Sequence, residues 1–304
     1  MNVLVTGISG YIGSVLAPAL IRDGHTVRGF ARHPDRVGLD VPVVAGDAIT
    51  GAGLEAALDG VDVAYYLIHS MEPSTDGPLQ SRERVAAERF ADAAVVAGVR
   101  RIVYLGGLIP KKVAPSEHLS SRLGVERLLL GALPDSVALR ASIVIGAQSR
   151  SFRFLVRLVE RLPVVAVPGW QSNRTQPIDE RDIVAMLVSA ATSDAAGGHS
   201  LDVGGPDTVS YRGLIERIRD LMLIDRPTVG FRRLTVTPIA SRVAAVIAGE
   251  DHELIGPLME SLSTDLLLGD DSAAEILGVR LHSLDAAIEH SLAEWERREP
   301  LAAR

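Results

Sequence analysis

Short apolar runs alternate with helical patterns along the first half of this chain. Apolar runs of four to seven residues predict buried strands. Strands that alternate with helices indicate a parallel sheet covered on both faces, so the fold class is α/β and doubly wound. The predicted strands are Met1–Thr6, His25–Ala31, the run that Asp47 closes, Val63–Ile68, Arg101–Leu105 and Val137–Arg140, with helices near Leu54–Leu58, Ser81–Ala97 and Ser121–Leu130.

Beyond Gly146 the alternation becomes less regular and more helical. We expect a first domain over residues 1–150 and a smaller, mainly helical lobe over residues 151–304, with segments near 175–205 returning to the first domain. The chain shows no repeat or long linker, so this lobe should pack on the carboxyl edge of the sheet, with ligand in the crevice between. The elements predicted here are helices at Phe152–Leu162, Arg181–Ala191 and Tyr211–Met222, and extended segments at Gln176–Asp179 and His199–Val203.

The first predicted strand leads into a glycine-spaced turn, GISGYIG, and a helix pattern follows at once. Glycines let such a turn close tightly and let the backbone approach a pyrophosphate, while the helix N-terminus directs N–H groups at the anion. The order of strand, turn, helix and strand favours a dinucleotide site over an ordinary turn. The contacts predicted from this turn are Gly7, Ser9, Gly10, Tyr11, Ile12 and Gly13.

The second predicted strand ends where an acid would bind the 2′-hydroxyl of NAD(H), but Arg32 and His33 follow it instead. A guanidinium there can pair with a 2′-phosphate, which favours NADP(H), although Arg32 could also only cap the strand end. Asp47 is either an acceptor for the adenine amino group or a helix N-cap. Ala48 and Leu67 complete the predicted cofactor contacts on this side.

The composition is that of an ordinary globular protein with 304 residues, 47% hydrophobic and 23% charged. A formal net charge of −7 argues against nucleic acid or an anionic membrane as a partner. There are no cysteines, and the acids at 179–182 suit the first turn of a helix better than a metal site. The apolar stretch Val236–Ala248 is broken by Pro238 and Arg242, so membrane insertion is not expected.

The chain starts directly on its first predicted strand, without a cleavage signal. We therefore expect a cytoplasmic protein that acts on a small molecule as a monomer or homodimer.

Several motifs together resemble the extended and atypical short-chain dehydrogenase/reductases. TGISGYIG, Arg32, the GD pair at 46–47 and DVGGPDTVSYRGL at 202–214 carry that resemblance. Four further motifs resemble a bacterial NAD(P)H-binding branch of the family, namely AYYLIHSM, RIVYLGGL, HLSSRLGVE and TQPIDERDIV. This branch is also similar to NmrA-type proteins and to the nucleotide-binding accessory subunit of respiratory complex I. The resemblance implies a Rossmann domain and an NADP(H) site.

The chain departs from the catalytic pattern of that family, in which a Tyr, a Lys four residues later and a Ser or Thr act together. If Glu126 is the acid that often follows the lysine, His118 takes the tyrosine position and Arg122 the lysine position. Gly106 and Gly107 stand where the serine would be. Residues four apart share one helix face, so both side chains could reach the nicotinamide.

The roles of these residues follow from their chemistry. Arg122 could hold the nicotinamide ribose, and its charge would disfavour a protonated neighbour. His118 is either a proton donor or a solvated histidine at a helix start. His69 is an alternative donor, and Tyr65 and Tyr66 alternate across one strand, so that one should lie in the core while the other, for which we select Tyr66, donates to substrate.

The segment Pro168–Pro177 is predicted to be a loop at the crevice, where specificity residues often lie. The candidate substrate contacts are Trp170, Asn173, Arg174 and Gln176, with Arg150 nearby, although Trp170 serves equally well as a hydrophobic plug.

Two classes of function remain open at this point. The first is an NADPH-dependent oxidoreductase that delivers hydride to a carbonyl or activated alkene of a small, mostly apolar molecule. The second is a non-catalytic NADP(H)-binding redox sensor or assembly factor, which the loss of Tyr, Lys and Ser favours.

Overall fold

A seven-stranded parallel sheet forms the centre of the protein, in the order β11-β6-β5-β4-β1-β2-β3. The computed structural model describes residues 1–68, 79–111, 113–161, 165–167, 169–225, 228–230 and 264–299. The strands are β1 (Asn2–Thr6), β2 (Thr26–Ala31), β3 (Val43–Ala45), β4 (Val63–Tyr66), β5 (Arg101–Gly107), β6 (Val137–Ala141) and β11 (Ser200–Val203). This is the α/β doubly wound Rossmann arrangement that the sequence predicted.

Helices cover both faces of this sheet because its strands are apolar on both sides. Tyr65 and Val103 point to the face covered by α1 and α6, and Tyr66 and Tyr104 point to the face covered by α2, α3 and α4. The helices described are α1 (Tyr11–Arg22), α2 (Leu54–Leu58), α3 (Leu79–Val96), α4 (Glu117–Ala132), α5 (Arg150–Arg161), α6 (Glu180–Ala190), α7 (Tyr211–Leu221), α8 (Ala273–Ile276) and α9 (Leu284–Glu296).

A separate apolar cluster forms where α5, α7 and α9 pack together around Phe152, Tyr211 and Trp295. The guanidinium groups of Arg153 and Arg157 lie 4.3 and 4.9 Å from the centre of the Trp295 ring. Small strands accompany this cluster, namely β7 (Val144–Ile145), β8 (Val165–Val167), β9 (Arg174–Thr175), β10 (Ile178–Asp179), β12 (Val209–Ser210) and β13 (Thr228–Gly230), with 3₁₀ turns at Pro34–Arg36, Gly169–Ser172 and Asp194–Ala196.

The chain returns to the main sheet after residue 150, because β11 pairs in parallel with β6. Arg101 at the start of β5 is fully buried and helps to fix this region. It donates to both carboxylate oxygens of Asp135 at 3.0 and 2.7 Å, and to the carbonyl oxygens of Ala190 and Ser193. The predicted domain boundary at residue 150 stays a prediction.

Two segments differ from the sequence prediction. Helix α4 begins at Glu117 rather than near Ser121, because the Ser116 side chain caps it by accepting from the Leu119 N–H at 3.2 Å. The stretch predicted as a loop at 168–177 contains a 3₁₀ turn and β9, which pairs antiparallel with β12.

Candidate functional site

A cavity of about 750 Å³ runs along the carboxyl ends of the strands. This is the edge of a doubly wound sheet at which ligands bind. Its lining extends from the ends of β2 and β3, past the glycine turn, to the segment between β6 and α5. Every predicted cofactor contact lines it: Gly7, Ser9, Gly10, Tyr11, Ile12, Gly13, Arg32, Asp47, Ala48, Leu67 and Arg122.

Each glycine of the turn has a different structural role. Gly7 has φ +65°, and a Cβ there would lie 2.8 Å from the Leu67 carbonyl oxygen. A Cβ on Gly13 would lie 2.4 Å from the Gly7 carbonyl oxygen, so this glycine lets α1 pack on the turn. Gly10 is the N-cap of α1, and it has no side chain that could cap the helix. The N-terminus of α1 is therefore open to an anion in the cavity.

Thr6 fixes the neighbouring wall of the cavity. Its hydroxyl donates to the Tyr65 carbonyl oxygen at 2.9 Å and accepts from the Leu67 N–H at 3.1 Å. These two bonds hold the end of β4 against the end of β1, so that Leu67 faces the cavity.

Arg32 and Asp47 lie at the β2 and β3 end of the cavity. Arg32 follows β2 directly and is exposed. Asp47 accepts from the Ile49 N–H at 2.6 Å, which is a local turn contact. It caps no helix, since the N-cap of α2 is Gly53. The helix-capping alternative for Asp47 is therefore wrong.

Arg122 and His118 lie one turn apart on α4, as the sequence spacing predicted. Arg122 lines the cavity, and its Nε is buried without a hydrogen-bond partner. His118 is not among the described residues that line the cavity, although its Nδ1 is also buried and unpartnered. Burial, aided by the Arg122 charge, lowers the pKa of His118 to about 4, so the imidazole is neutral at pH 7.

The tyrosines of β4 lie in the core rather than at the cavity. Tyr66 is 2% exposed and packs on Phe90 with the ring centres 5.0 Å apart. Tyr65 donates its hydroxyl to the Leu187 carbonyl oxygen at 2.8 Å. Burial raises the pKa of both phenols. The structure thus places Tyr66 away from the position that a donor to substrate requires, because its side chain points into the face that α3 covers. His69 lies outside the described residues.

Gly106, one of the two glycines at the serine position of the family pattern, has no room for a side chain. A Cβ on Gly106 would lie 2.9 Å from Cε1 of the Tyr104 ring. That ring is buried, and its hydroxyl donates to the Arg122 carbonyl oxygen at 3.3 Å. The same contact that holds the backbone of Arg122 therefore favours glycine at the end of β5.

Tyr11 and Glu180 meet beside Gly146. A Cβ on Gly146 would lie 2.0 Å from the Tyr11 hydroxyl and 2.4 Å from Oε2 of Glu180. Burial, followed by the Glu180 charge, raises the pKa of Tyr11, and burial raises that of Glu180. Tyr11 is thus a neutral phenol of the glycine turn beside Glu180 of α6, and its buried hydroxyl has no hydrogen-bond partner among the described residues.

Three predicted substrate contacts of the 168–177 segment, Asn173, Arg174 and Gln176, are not among the described residues that line the cavity. The guanidinium of Arg174 pairs with Asp265 at 3.0 Å, and Gln176 accepts from the Leu268 N–H at 2.9 Å. The Asn173 carbonyl oxygen accepts from the Tyr211 N–H. These contacts hold residues 264–268 and α7 in place, which is why the polar pattern there was misleading. The side chain of Trp170 lies outside the described residues.

Two arginines extend the lining beyond the predicted cofactor contacts. Arg82 lies on α3, and Arg150, considered for the substrate lobe, is the first residue of α5. Cations are disfavoured at a helix N-terminus by the macrodipole. Polar residues Gln148, Ser149 and Ser151 also line this end.

The described residues contain no helix that is both long and apolar enough to cross a membrane. In the same part of the chain, no three His, Asp or Glu side chains are grouped so that they could hold a metal ion.

Comparison with known proteins finds similarity to NAD(P)H-binding proteins and to reductases. An NAD(P)H-binding family model matches residues 7–126. A ceramide reductase of Caulobacter vibrioides is 28% identical over 199 residues, which is 64% of this chain and 62% of that protein. The aligned region thus spans less than two thirds of that relative.

A (4-alkanoyl-5-oxo-2,5-dihydrofuran-3-yl)methyl phosphate reductase of Streptomyces griseus is 28% identical over 218 residues, which is 69% of this chain and 70% of that protein. The crystal structure of a short-chain dehydrogenase/reductase superfamily protein of Agrobacterium tumefaciens, with bound NAD, superposes with a TM-score of 0.70 at 19% identity and covers 98% of both chains. This last likeness concerns the fold. Together the comparisons support an NAD(P)H-binding oxidoreductase.

Proposed function

We propose that the chain is an NADPH-dependent reductase of a small organic molecule and a member of the extended short-chain dehydrogenase/reductases, which the NAD(P)H-binding family model over residues 7–126 and the similarity to two reductases support. The observation that carries the proposal is the cavity along the carboxyl edge of the sheet, which every predicted cofactor contact lines. The relatives named above are reductases, which supports reduction as the reaction.

The residues present fit the dinucleotide. Gly7 and Gly13 have no room for a side chain, and the N-terminus of α1 lacks a side-chain cap. The backbone of the turn can therefore approach a pyrophosphate. Arg32 would take the 2′-phosphate of NADPH, and Asp47 retains Oδ2 for the adenine amino group. Arg122 would donate to the nicotinamide ribose, because its Nε is buried and still lacks an acceptor.

When bound, NADPH supplies a hydride. The protein then has to stabilise negative charge on the substrate and provide a proton. Arg122 carries a permanent positive charge for the first task. His118 is neutral at pH 7, since only about one molecule in 10³ is protonated when the pKa is about 4. We therefore assign His118 the role of a neutral N–H hydrogen-bond donor, acting directly or through water, while the proton itself comes from solvent.

This arrangement favours an activated alkene over a simple ketone. A conjugated alkene becomes an enolate, which Arg122 can stabilise and which solvent can protonate. A simple ketone needs a stronger acid at the oxygen. The apolar side chains at the same end of the cavity, namely Ile12, Leu105, Ile143 and Val144, suit a mostly apolar carbon framework.

The test is a panel of ketones, quinones and enones, with NADPH oxidation followed by absorbance and product deuteration from 4-deuterated NADPH followed by mass spectrometry. Enone turnover with transfer of deuterium is the expected result. If NADPH binds and no compound is reduced, the reductase proposal is refuted.

A redox sensor or assembly factor is the second candidate. Gly106 cannot carry the serine of the family pattern without displacing the Tyr104 ring, which favours this alternative. Binding of NADPH without reduction of any substrate, together with a cofactor-dependent change in partner binding, is the outcome that supports it.

A further inference from the structure

A hydroxyl side chain lies beside the position where the family pattern has its serine. In the main sheet Gly107 of β5 pairs with Ala141 of β6, and the Leu108 N–H donates to the Ala141 carbonyl oxygen at 3.1 Å. Ser142 is the next residue after Ala141, and it lines the cavity. The end of β6 thus supplies a hydroxyl next to the end of β5, where Gly106 and Gly107 supply none.

The Ser142 hydroxyl has a buried hydroxyl as its partner. Its Oγ lies 3.0 Å from Oγ1 of Thr175, and either oxygen can be the donor. Thr175 is fully buried and is not among the described residues that line the cavity. Its backbone is held by two neighbouring segments, because Thr175 pairs with Val209 of β12 and also forms a parallel bridge to Leu266. Thr175 is therefore a fixed partner on the inner side of Ser142.

Two linked hydroxyls can direct one proton into the cavity. A hydroxyl has one proton, which rotates, and two acceptor lone pairs. When Thr175 donates to Ser142, the proton of Ser142 is free to point at a ligand oxygen. A donor that itself accepts a hydrogen bond is strengthened, and low-dielectric surroundings strengthen it further. Ser142 is 9% exposed, and the adjacent Ile143 and Val144 line the cavity with apolar side chains.

The proposed cofactor site directs the nicotinamide towards this part of the sheet. β1, β2 and β3 lie on one side of β4, and β5 and β6 lie on the other. Arg32 after β2 and Asp47 after β3 would bind the adenosine end, and the N-terminus of α1 after β1 would bind the pyrophosphate. A dinucleotide that crosses between β1 and β4 then places its nicotinamide near the ends of β5 and β6.

We propose that Ser142 is a catalytic residue that donates a hydrogen bond to the carbonyl oxygen of the substrate, with Thr175 as its positioning residue. The proposal rests on the proposed function, which places the nicotinamide beside it. Hydride addition to the β-carbon of an enone breaks the C=C π bond, and the carbonyl oxygen gains the negative charge of the enolate. Ser142 would stabilise that oxygen together with Arg122, and solvent would supply the proton to the α-carbon.

The test is spectrophotometric titration of the NADP⁺-saturated protein with 4-nitrophenol, above the pKa of the free phenol. Its phenolate carries a conjugated oxyanion, as an enolate does. Ser142→Ala should raise the Kd of the phenolate at least about tenfold and leave the Kd of NADP⁺ within about twofold, because a hydrogen bond to a charged group is lost. Ser291→Ala removes a buried serine hydroxyl on α9 that does not line the cavity, and as the matched control it should change neither.

The role of Thr175 is tested by a spectroscopic signature. Thr175→Val removes the hydroxyl at nearly constant shape and should shift the absorption maximum of the bound phenolate to longer wavelength, because the Ser142 hydroxyl becomes a weaker donor. Thr175→Ser keeps a hydroxyl and should restore the wild-type spectrum. Identical spectra for Thr175→Val and the wild-type protein would remove Thr175 from the proposal.

An unchanged phenolate Kd in Ser142→Ala overturns the proposal, and so does a wild-type NADP⁺ complex that does not bind the phenolate. If Ser142→Ala weakens NADP⁺ as much as the phenolate, the hydroxyl serves the cofactor and the proposal is again overturned. Failure of NADP⁺ and NADPH to bind the wild-type protein would instead contradict the proposed function.

Discussion

Gly13 lies so close to Gly7 that a Cβ on Gly13 would stand 2.4 Å from the Gly7 carbonyl oxygen. The nearest atom to a Cβ on Gly10 is the same oxygen, at 3.1 Å, and no second atom lies within 4 Å. One turn thus contains a glycine that is required by packing and a glycine that borders the cavity.

We expect Gly10→Val to abolish NADPH binding without unfolding the protein, because the added methyl groups occupy the space of the pyrophosphate. Gly13→Val is the contrast, since it should destabilise the fold by about 1–3 kcal/mol or more through overpacking. Calorimetric titration and thermal unfolding of both variants measure the two effects. Normal NADPH binding by a folded Gly10→Val protein would show that the nucleotide turn has been misplaced.

Arg32→Ala should weaken NADPH binding by about 1.5–3 kcal/mol and leave NADH nearly unaffected, because only NADPH carries the 2′-phosphate. Arg36→Ala is a suitable control, since Arg36 is exposed and does not line the cavity. Titration with both cofactors decides the matter. Equal losses for NADPH and NADH would remove Arg32 from the 2′-phosphate site.

The pKa of His118, measured by NMR titration, should be about 4 in the wild-type protein and higher in Arg122→Gln. In Arg122→Gln the pKa of His118 should rise only part of the way towards 6.5, because burial is the larger cause of its lowering and the Arg122 charge the smaller. The lowered pKa favours the neutral form in the folded state. Its contribution to stability is complete above the unfolded value of about 6.5 and is lost as the pH falls towards 4. A pKa near 6.5 in the wild-type protein would contradict the burial of this imidazole.

On any substrate found, His118→Ala should lower kcat by about 10² or more with little change in NADPH affinity, whereas Arg122→Ala should weaken cofactor binding. His118→Gln keeps an N–H donor and should recover part of the rate. Because His118 is neutral above pH 5, we expect kcat to show no His118 titration between pH 6 and 8. An unchanged rate in His118→Ala would show that the His118 N–H takes no part in the reaction.

Asp135→Asn should destabilise the protein by about 3 kcal/mol, because it leaves the fully buried Arg101 guanidinium with carbonyl acceptors alone. The Arg101 hydrogen bonds hold the pKa of Asp135 below its usual 3.8. This contribution is therefore present above about pH 4 and lost as the pH falls below it. Chemical denaturation from pH 3 to 7 measures it, with the exposed Asp92→Asn as the control. Equal effects of the two substitutions would rule out a special role for the Arg101–Asp135 pair.

The sequence by itself determined the sheet, the order of its first elements and the glycine turn. These features depend on local rules: apolar runs make buried strands, and three glycines at fixed spacing permit a close turn before a helix. The same locality brought Arg32 and Leu67 to one edge, because parallel strands direct their carboxyl ends to the same side. The spacing of His118 and Arg122 on one helix also followed from sequence alone.

Only the tertiary structure decided which polar groups face the cavity and in what state. Arg174 and Gln176 are used to hold residues 264–268, a partner some 90 positions away that no local pattern reveals. Tyr66 lies in the core and His118 loses its charge because neighbouring elements remove water from them, and burial is a property of the packed molecule. Arg82 and Arg150 are far apart in sequence, and only the folding of α3 and α5 onto the same sheet edge brings both to one cavity.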